Sequence, residues 1–204
     1  SNTTGIIDAS TVTTLSGSAS DLNTAYSSSE ISGLGNEAIL VDSGTSSVSL
    51  ANNLSAATSG IVSATLSDGD MATLANLNES DNAYTITISD TSVDASALNT
   101  LDSKTTVTIN AAAVTTLSGS TSDLNTAYSS SGISGLGNEA VTISDISIDA
   151  SVLNTLDSNT TGIIDASTVT TLSGSASDLN TAYSSSGISG LGNEAILVDS
   201  GTSS

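Results

Sequence analysis

The sequence lacks cysteine, proline, histidine, tryptophan and phenylalanine, and its only aromatic side chains are four tyrosines. Without cysteine, disulfide bonds contribute nothing to stability and give no indication of a redox compartment. A compact core in a chain of 204 residues would normally contain bulky aromatic side chains. The apolar fraction of 37% is supplied mainly by alanine, valine, isoleucine and leucine, which favours a thin, elongated core.

Basic residues are almost absent as well. Lys104 stands against 21 acidic residues, and the formal net charge is −20. Nucleic acid needs Lys and Arg to neutralise its phosphates, and anionic lipid headgroups need them too, so both are excluded as partners. No apolar run reaches about 18 residues, so no segment is predicted to insert into a membrane.

What the chain does contain is repetition, almost letter for letter. Residues 1–47 and 158–204 are identical at 46 of 47 positions, and Glu30 in place of Gly187 is the difference. Further matches divide the chain into units 3–57, 58–104, 105–159 and 160–204, of which the last is partial. A catalytic site needs its residues once, whereas repetition at this period is typical of a fold built by stacking.

Each full-length unit also repeats within itself, as two half-units of slightly unequal length. ASVLNTLDSNTTGI at 150–163 resembles ASDLNTAYSSSGI at 176–188. Half-units of this length match single coils of solenoid proteins, in the range of leucine-rich-type coils. The repeat therefore indicates two coils in each full-length unit.

Three segments make up one coil. Two of them, such as GIIDAS and TVTTLSG, are short, rich in β-branched residues and bounded by Gly, Ser or Asp. This composition predicts strands. In the third segment Leu153 and Leu156 follow Asp149 at an N-cap position, which favours a helix of about two turns over a third strand. We therefore predict a β-rich repeat solenoid with parallel strands and short helices in each coil, either an α/β-solenoid or a β-helix.

We expect one elongated solenoid of about seven to eight coils over residues 1–204. Stacked coils place like residues above one another at about 4.8 Å, so apolar residues should form buried ladders. The predicted ladder residues are Leu15, Leu117, Leu172, Ile6, Ile163, Val12, Val114 and Val169. In the GLGNEA corner, Gly190 and Gly192 should adopt positive φ, whereas Glu30 indicates that the position of Gly187 does not require it.

The motifs LNTLD, TTGIIDAS, VTTLSG and GLGNEA, taken as a set, resemble repeats of giant secreted and cell-surface proteins and adhesins of bacteria, most closely those of marine cyanobacteria. The resemblance covers nearly the whole chain except roughly residues 48–82. It implies an extracellular location at the cell surface, a very long parent chain and a solenoid fold, and it does not imply an enzyme. Adhesion, surface coats and motility all occur among such proteins, so the resemblance does not select among them.

Repeated acidic residues are the candidates for a metal site. Calcium takes six to eight oxygen ligands, and carboxylates that recur at equivalent corners would supply some of them. The calcium candidates are Asp90, Asp145, Asp94, Asp149, Glu37, Glu139 and Glu194. Neither an EF-hand loop nor a GGxGxD nonapeptide occurs. Diffuse screening of a highly charged rod by cations is the competing interpretation, and no cofactor is required.

Catalysis and ice binding are further functions that a solenoid can carry. Lyases of acidic sugars typically need a base and cations, and arginine and histidine are absent here. A catalytic carboxylate pair would also occur once rather than in each repeat, so we expect no enzyme. Ice binding requires a flat, regular array of threonines. The TVT and TIT segments at 11–13, 85–87, 106–108 and 168–170 are interrupted by corners and helices, which favours ordinary outward-facing threonines.

The expected function is a structural repeat segment of a large extracellular surface protein, serving as a stalk, spacer or filament body. Its expected partners are copies of itself or adjacent repeats of the same long chain, together with cations. The alternative is a ligand- or surface-binding adhesin region, calcium-dependent or ice-binding. Its candidate location is the divergent stretch 66–82, with Asp68, Asp70, Glu79 and Asp81.

Neither end of the sequence carries the composition break that a capping coil would need. We therefore expect the parent chain to continue, with a sequence close to residues 48–66 after Ser204 and close to residues 150–157 before Ser1.

Overall fold

The computed structural model of the chain describes residues 5–199. The fold is α/β, with mainly parallel sheets and, over this range, seven short helices. The helices are α1 (Ala19–Ser27), α2 (Val48–Ala57), α3 (Met71–Leu74), α4 (Ala95–Asp102), α5 (Thr121–Ser129), α6 (Ala150–Asn159) and α7 (Ala176–Ser184). The strands are β1 (Ile7–Asp8), β2 (Thr14–Ser18), β3 (Ile31–Ser32), β4 (Ala38–Ser43), β5 (Val62–Thr65), β6 (Ala83–Thr85), β7 (Ser92–Asp94), β8 (Ile109–Asn110), β9 (Thr116–Gly119), β10 (Ile133–Ser134), β11 (Ala140–Ile143), β12 (Ser147–Asp149), β13 (Ile164–Asp165), β14 (Thr171–Gly174), β15 (Ile188–Ser189) and β16 (Ala195–Val198).

The chain divides into two compact units, and each has parallel sheets of its own. The first unit lies within residues 1–88 and 100–110 and contains a four-stranded sheet of order β2-β4-β5-β6 and the pair β1-β3. The second unit lies within residues 89–99 and 111–204. It contains a five-stranded sheet of order β15-β13-β11-β9-β7 and a three-stranded sheet of order β12-β14-β16.

Most paired strands in both units are separated by the same length of chain, which defines one strand-to-strand step. Leu117 pairs with Val141, and Ile148 pairs with Leu172; the two residues of each pair are 24 positions apart in the sequence. Between these two pairs the chain shifts by seven residues, from the start of β11 at Ala140 to the start of β12 at Ser147. Two steps and this shift make up one full-length repeat, because they connect β9 to β14, which carry the same TLSG sequence in successive repeats.

The helices follow the half-units that the sequence predicts. Helices α5, α6 and α7 begin at Thr121, Ala150 and Ala176, once in each half-unit. The third segment of these coils is therefore a helix of nine or ten residues, as predicted, and not the alternative third strand. Asp149 is the N-cap of α6, as predicted, and its carboxylate accepts a hydrogen bond from the Ser151 amide at 2.9 Å. The predicted apolar pair of α6, Leu153 and Leu156, is fully buried.

The divergent segment shortens one step of the first unit. Ala64 of β5 pairs with Tyr84 of β6, and the chain between them is shorter than the chain that separates Leu117 from Val141. The helix between β5 and β6, α3, has four residues instead of nine or ten. A shorter helix needs less chain to return to the sheet, and this step accounts for four of the eight residues by which unit 58–104 is shorter than units 3–57 and 105–159.

The apolar core of the second unit is a ladder, as predicted. Leu117, Val141 and Ile164 occupy paired positions on β9, β11 and β13, and each is at most 1% exposed. The predicted core residues Val114, Val169 and Leu172 are also buried. In the first unit the equivalent Val12 and Leu15 are half-buried.

Two ladder predictions are wrong. Ile6 is 71% exposed and Ile163 is 52% exposed. Side chains alternate between the two faces of a strand, so only one isoleucine of each Ile-Ile pair can point inward. In β13 the inward residue is Ile164, which is fully buried and pairs with Val141.

Candidate functional site

The GLG corners owe their shape to glycine. Gly190 and Gly192 have φ of +86° and +133°, and the equivalent Gly135 and Gly137 have +89° and +136°. These values confirm the predicted left-handed pair. A Cβ at Gly190 would also lie 2.6 Å from the amide nitrogen of Ser167. Gly187 lies outside the left-handed region, which is consistent with glutamate at the equivalent position 30.

Each GLG corner presents backbone amides to the glutamate that follows it. Glu139 is fully buried, and its two carboxylate oxygens accept hydrogen bonds from the Gly137 amide at 3.0 and 2.8 Å. The Tyr128 hydroxyl donates to Glu139 Oε2 at 2.9 Å. All of these donors to the buried carboxyl group are neutral. We call this arrangement the Tyr–Glu corner.

The Tyr–Glu corner occurs three times among the described residues. In the first unit Tyr26 donates to Glu37, whose carboxylate also accepts from the Gly35 and Asn36 amides. The third corner pairs Tyr183 with Glu194. In every copy the tyrosine precedes the glutamate by eleven residues. The sequence contains this constant spacing, but the spacing alone does not predict the pairing.

The segment that leads into the next strand, β5 or β13, covers two of the three corners. The Thr58 hydroxyl donates to the Glu37 carbonyl at 2.6 Å, and a Cβ on Gly60 would lie 2.3 Å from the same oxygen. At the second corner a Cβ on Gly162 would lie 1.8 Å from the Glu139 carbonyl oxygen. Glu37 and Glu139 are consequently at most 1% exposed, whereas Glu194 is only half-buried.

Opposite pKa shifts follow from these contacts. Burial favours the neutral form of the carboxyls, but hydrogen bonds from the tyrosines and the corner amides outweigh it and lower the pKa of Glu37 and Glu194. Burial, together with the adjacent carboxylates, raises the pKa of Tyr26 and Tyr128 well above the usual value. The same causes raise the pKa of Tyr183 to about 12.

The tyrosines of the folded protein should therefore stay protonated well above pH 10. Because their folded pKa values are raised, the stability that they contribute is present below the unfolded pKa of about 10 and is lost as pH rises through the folded values. Absorbance at 295 nm measures the fraction of tyrosinate, and tryptophan, which would interfere, is absent. The native protein should show little tyrosinate near pH 10, and the urea-denatured chain should titrate there. A native midpoint near 10 would contradict the Tyr–Glu corner.

Several of the calcium candidates accept hydrogen bonds from other groups of the protein, including its backbone amides. Glu37, Glu139 and Glu194 are the acids of the Tyr–Glu corners. Asp94 accepts from the Ser96 and Ala97 amides at the start of α4, and Asp149 caps α6. Hydrogen bonds from the serines that follow them lower the pKa of both aspartates.

Asp145 caps a helix that lies earlier in the sequence. It accepts a hydrogen bond from the Thr121 amide at the start of α5 at 2.7 Å. Asp90 is half-buried. Over residues 5–199, no three Asp, Glu, His or Cys side chains cluster in a way that would hold a metal ion.

Two of the outward threonines, Thr168 and Thr170, are hydrogen-bonded to the backbone of a neighbouring segment. Thr11, Thr13, Thr168 and Thr170 are exposed, as expected for the flanks of an inward valine. The Thr170 hydroxyl donates to the Ile146 carbonyl at 3.1 Å, and Thr168 donates to the Ile143 and Asp145 carbonyls at 3.0 Å. At these two positions the hydroxyls bind the protein itself rather than forming part of a uniform array that faces water.

The divergent stretch carries a cleft of about 240 Å³ in the first unit. Its lining is mostly polar and comprises Ser55, Thr58, Ser59, Gly60, Ile61, Glu79, Ser80, Asp81 and Asn82. Asp81 adopts a φ of +67°, a left-handed conformation that is uncommon outside glycine. Asn82 is buried, and its side-chain oxygen accepts from the Val62 amide at 2.8 Å.

Two of the four acids singled out in this stretch are structural. Asp68 accepts from the Val48 amide at 2.7 Å at the start of α2, and Asp70 is the N-cap of α3. Glu79 and Asp81 are exposed and line the cleft. The sequence thus located the divergent stretch but did not indicate that residues 55–61 form the other part of its cleft.

Comparisons with known proteins identify no relative: no family model, no curated protein and no solved structure matches the chain. The longest helices among residues 5–199 have ten residues, and none has the length and hydropathy needed to cross a membrane.

Proposed function

We propose that the chain is a structural segment of a repeat solenoid, acting as a stalk, spacer or filament body at the surface of a cell. The observation that supports this proposal most strongly is the use of the repeated residues. In both units the repeated acids and glycines cap helices, shape corners and cover the preceding corner. The residues that recur in each repeat thus stabilise the fold itself, which is the pattern expected of a scaffold.

A tandem array tests the solenoid directly. One and two copies of the super-repeat, residues 1–157, would be compared by small-angle X-ray scattering in 0.5 M NaCl. Each coil of a solenoid adds about 4.8 Å, so the longest dimension should increase linearly with the number of coils. A compact globular fold would instead grow with about the 0.38 power of chain length in radius of gyration. Globular scaling would overturn the proposal.

Salt should stabilise the protein. With a net charge of −20, repulsion among carboxylates opposes folding, and the Debye length falls from about 30 Å at 0.01 M salt to about 3 Å at 1 M. We expect the melting temperature, followed by circular dichroism, to rise with NaCl and to rise further with millimolar calcium. A melting temperature that falls with NaCl would contradict a stability limited by repulsion.

Magnesium distinguishes screening from a defined calcium site. Equal stabilisation by calcium and magnesium at matched ionic strength supports screening, because magnesium demands a smaller, near-octahedral site. The cleft lined by Glu79 and Asp81 is where the alternative, a ligand-binding adhesin region, would be tested. A response to calcium alone that disappears in the double variant Glu79→Gln/Asp81→Asn would favour that alternative.

A further inference from the structure

Three asparagines within residues 5–199 begin the acceptor motif for N-glycosylation, Asn-x-Ser/Thr with x other than proline: Asn53, Asn78 and Asn159. The chain is rich in serine and threonine, so the motif alone does not identify a modified residue. An acceptor on a folded protein lies on a surface loop. The asparagine amide and the hydroxyl two residues later must both be accessible to the transferase, and this requirement separates the three motifs.

The motif at Asn159 is occupied by contacts within the fold. Asn159 is the last residue of α6, and its Nδ2 donates to Asn125 Oδ1 at 3.0 Å. Thr160 is 8% exposed. The hydroxyl of the motif, Thr161, donates to the Gly137 carbonyl at 3.2 Å. The amide and the hydroxyl of this motif therefore both bind other parts of the protein.

The motif at Asn53 lies inside a helix. Asn53 is exposed on α2, but residues two apart on a helix do not share a face. Ser55 accordingly points elsewhere, and its hydroxyl accepts a hydrogen bond from Asn82 Nδ2 at 2.9 Å. A transferase would have to unwind α2 to reach the amide and the hydroxyl together.

The motif at Asn78 differs from both, because it lies in the irregular segment between α3 and β6. Asn78, Glu79 and Ser80 are all exposed. The Asn78 amide nitrogen of the main chain donates to Asn52 Oδ1 at 3.0 Å, and its carbonyl accepts from Lys104 Nζ at 3.0 Å. Both contacts use the main chain of Asn78, so they hold the loop in place while the side chain extends to the surface.

We propose that Asn78 is an acceptor for an N-linked sugar. The donor is an activated sugar whose anomeric carbon is joined to a pyrophosphate, which is carried by a nucleotide or by a lipid. Asn78 Nδ2 forms a bond to the anomeric carbon, and the bond from that carbon to the phosphate oxygen breaks. The pyrophosphate leaves with the electron pair, and Nδ2 loses one proton. The proposal goes beyond the structural role and does not depend on it.

The position of Asn78 would restrict the sugar to one step of the repeat. The serine-rich stretches that follow α1, α5 and α7, at residues 27–29, 129–131 and 184–186, contain no asparagine. Asn78 belongs to the divergent stretch, and the adjacent Glu79 lines its cleft. A sugar on Asn78 would therefore stand beside the cleft of the first unit.

Mass spectrometry of the protein isolated from the cells that produce it tests the proposal. The peptide that contains Asn78 should carry a sugar that peptide N-glycosidase releases, with conversion of Asn78 to aspartate. Asn53 and Asn159 should be unmodified. Transfer to the recombinant chain by the soluble fraction of these cells with UDP-glucose would indicate a nucleotide-linked donor, and transfer by their membrane fraction only would indicate a lipid-linked donor. An unmodified Asn78 in the isolated protein would overturn the proposal.

A purified soluble N-glycosyltransferase with UDP-glucose tests the geometry itself. Short synthetic peptides that cover the three motifs should all react. The folded chain should react at least about tenfold faster at Asn78 than at Asn53 or Asn159, because a helix or a bonded side chain must first open locally. Equal rates at the three asparagines of the folded chain would contradict the assignment.

Variants at exposed residues complete the test. Ser80→Ala should abolish transfer to Asn78, whereas Ser80→Thr and the matched control Glu79→Gln should retain it. All three residues are exposed, so circular dichroism should show unchanged melting of each variant. Continued transfer to Asn78 in Ser80→Ala would overturn the proposal. None of these results affects the tandem scattering experiment, so the proposed structural role stands or falls separately.

Discussion

Replacing Leu172 with aspartate should unfold the second unit or bring it close to unfolding. Leu172 is fully buried, and its strand partners are Ile148 and Ile196. The chain's single basic residue, Lys104, donates to the Asn78 carbonyl in the first unit, so no cation of the second unit can pair with the new charge. An uncompensated buried charge costs roughly 3–5 kcal/mol, against a typical domain stability of about 5–15 kcal/mol.

Urea denaturation followed by circular dichroism measures this loss. Ile146→Asp is the matched control, since it adds the same charge at a residue of the same unit that is 66% exposed. Its free energy of unfolding should change by less than about 0.5 kcal/mol. Leu15→Asp should have an intermediate effect, because the equivalent leucine of the first unit is half-buried. Unchanged melting of Leu172→Asp would show that the ladder is not the core.

Gly162→Ala should destabilise the protein, whereas the same change at Gly5 should not. The two glycines occupy equivalent positions in identical GIIDAS segments. A Cβ at Gly162 would lie 1.8 Å from the Glu139 carbonyl oxygen, so the backbone must move apart. Overpacking of this kind costs about 1–3 kcal/mol. At Gly5 a Cβ meets nothing within 4 Å, and Gly5 does not have a positive φ.

Thermal melting of the two variants at low protein concentration makes the comparison. A lower melting temperature for Gly162→Ala only is the expected result. Equal melting temperatures would mean that the strand does not lie over the corner as described.

The sequence predicted the features that depend on local chemistry. Asp149 was recognised as an N-cap because a short polar side chain preceded spaced leucines. Gly190 and Gly192 were recognised as corner residues because glycine accesses positive φ without strain. The helices of nine or ten residues followed from the internal repeat of each unit, which places one LNT segment in each half-unit.

The failures depend on non-local contacts. The register with the neighbouring strand determines which isoleucine of an Ile-Ile pair points inward, so the sequence alone predicts Ile163 as the core residue where Ile164 is buried. The recurrence of the Glu139 carboxyl at equivalent corners makes it a candidate calcium ligand in the sequence. Its contact with Tyr128 depends on the path of the GLG turn, which brings together residues eleven apart. The cleft likewise joins residues 55–61 to residues 79–82, and neither segment alone predicts it.

The seven-residue shift between β11 and β12 has a consequence for how such a gene can change length. Recombination between the matching segments of the repeats would remove or add one full-length unit, or the whole block that separates the two nearly identical ends. Each such event retains both strand-to-strand steps together with the shift, so every strand meets the type of partner that it had before. Loss of a single strand-to-strand step alone would break the order of two steps and one shift, so a strand would meet a partner of a different type. A change in repeat number therefore preserves the pairing of strands only when the boundaries of the duplicated block keep both steps and the shift together.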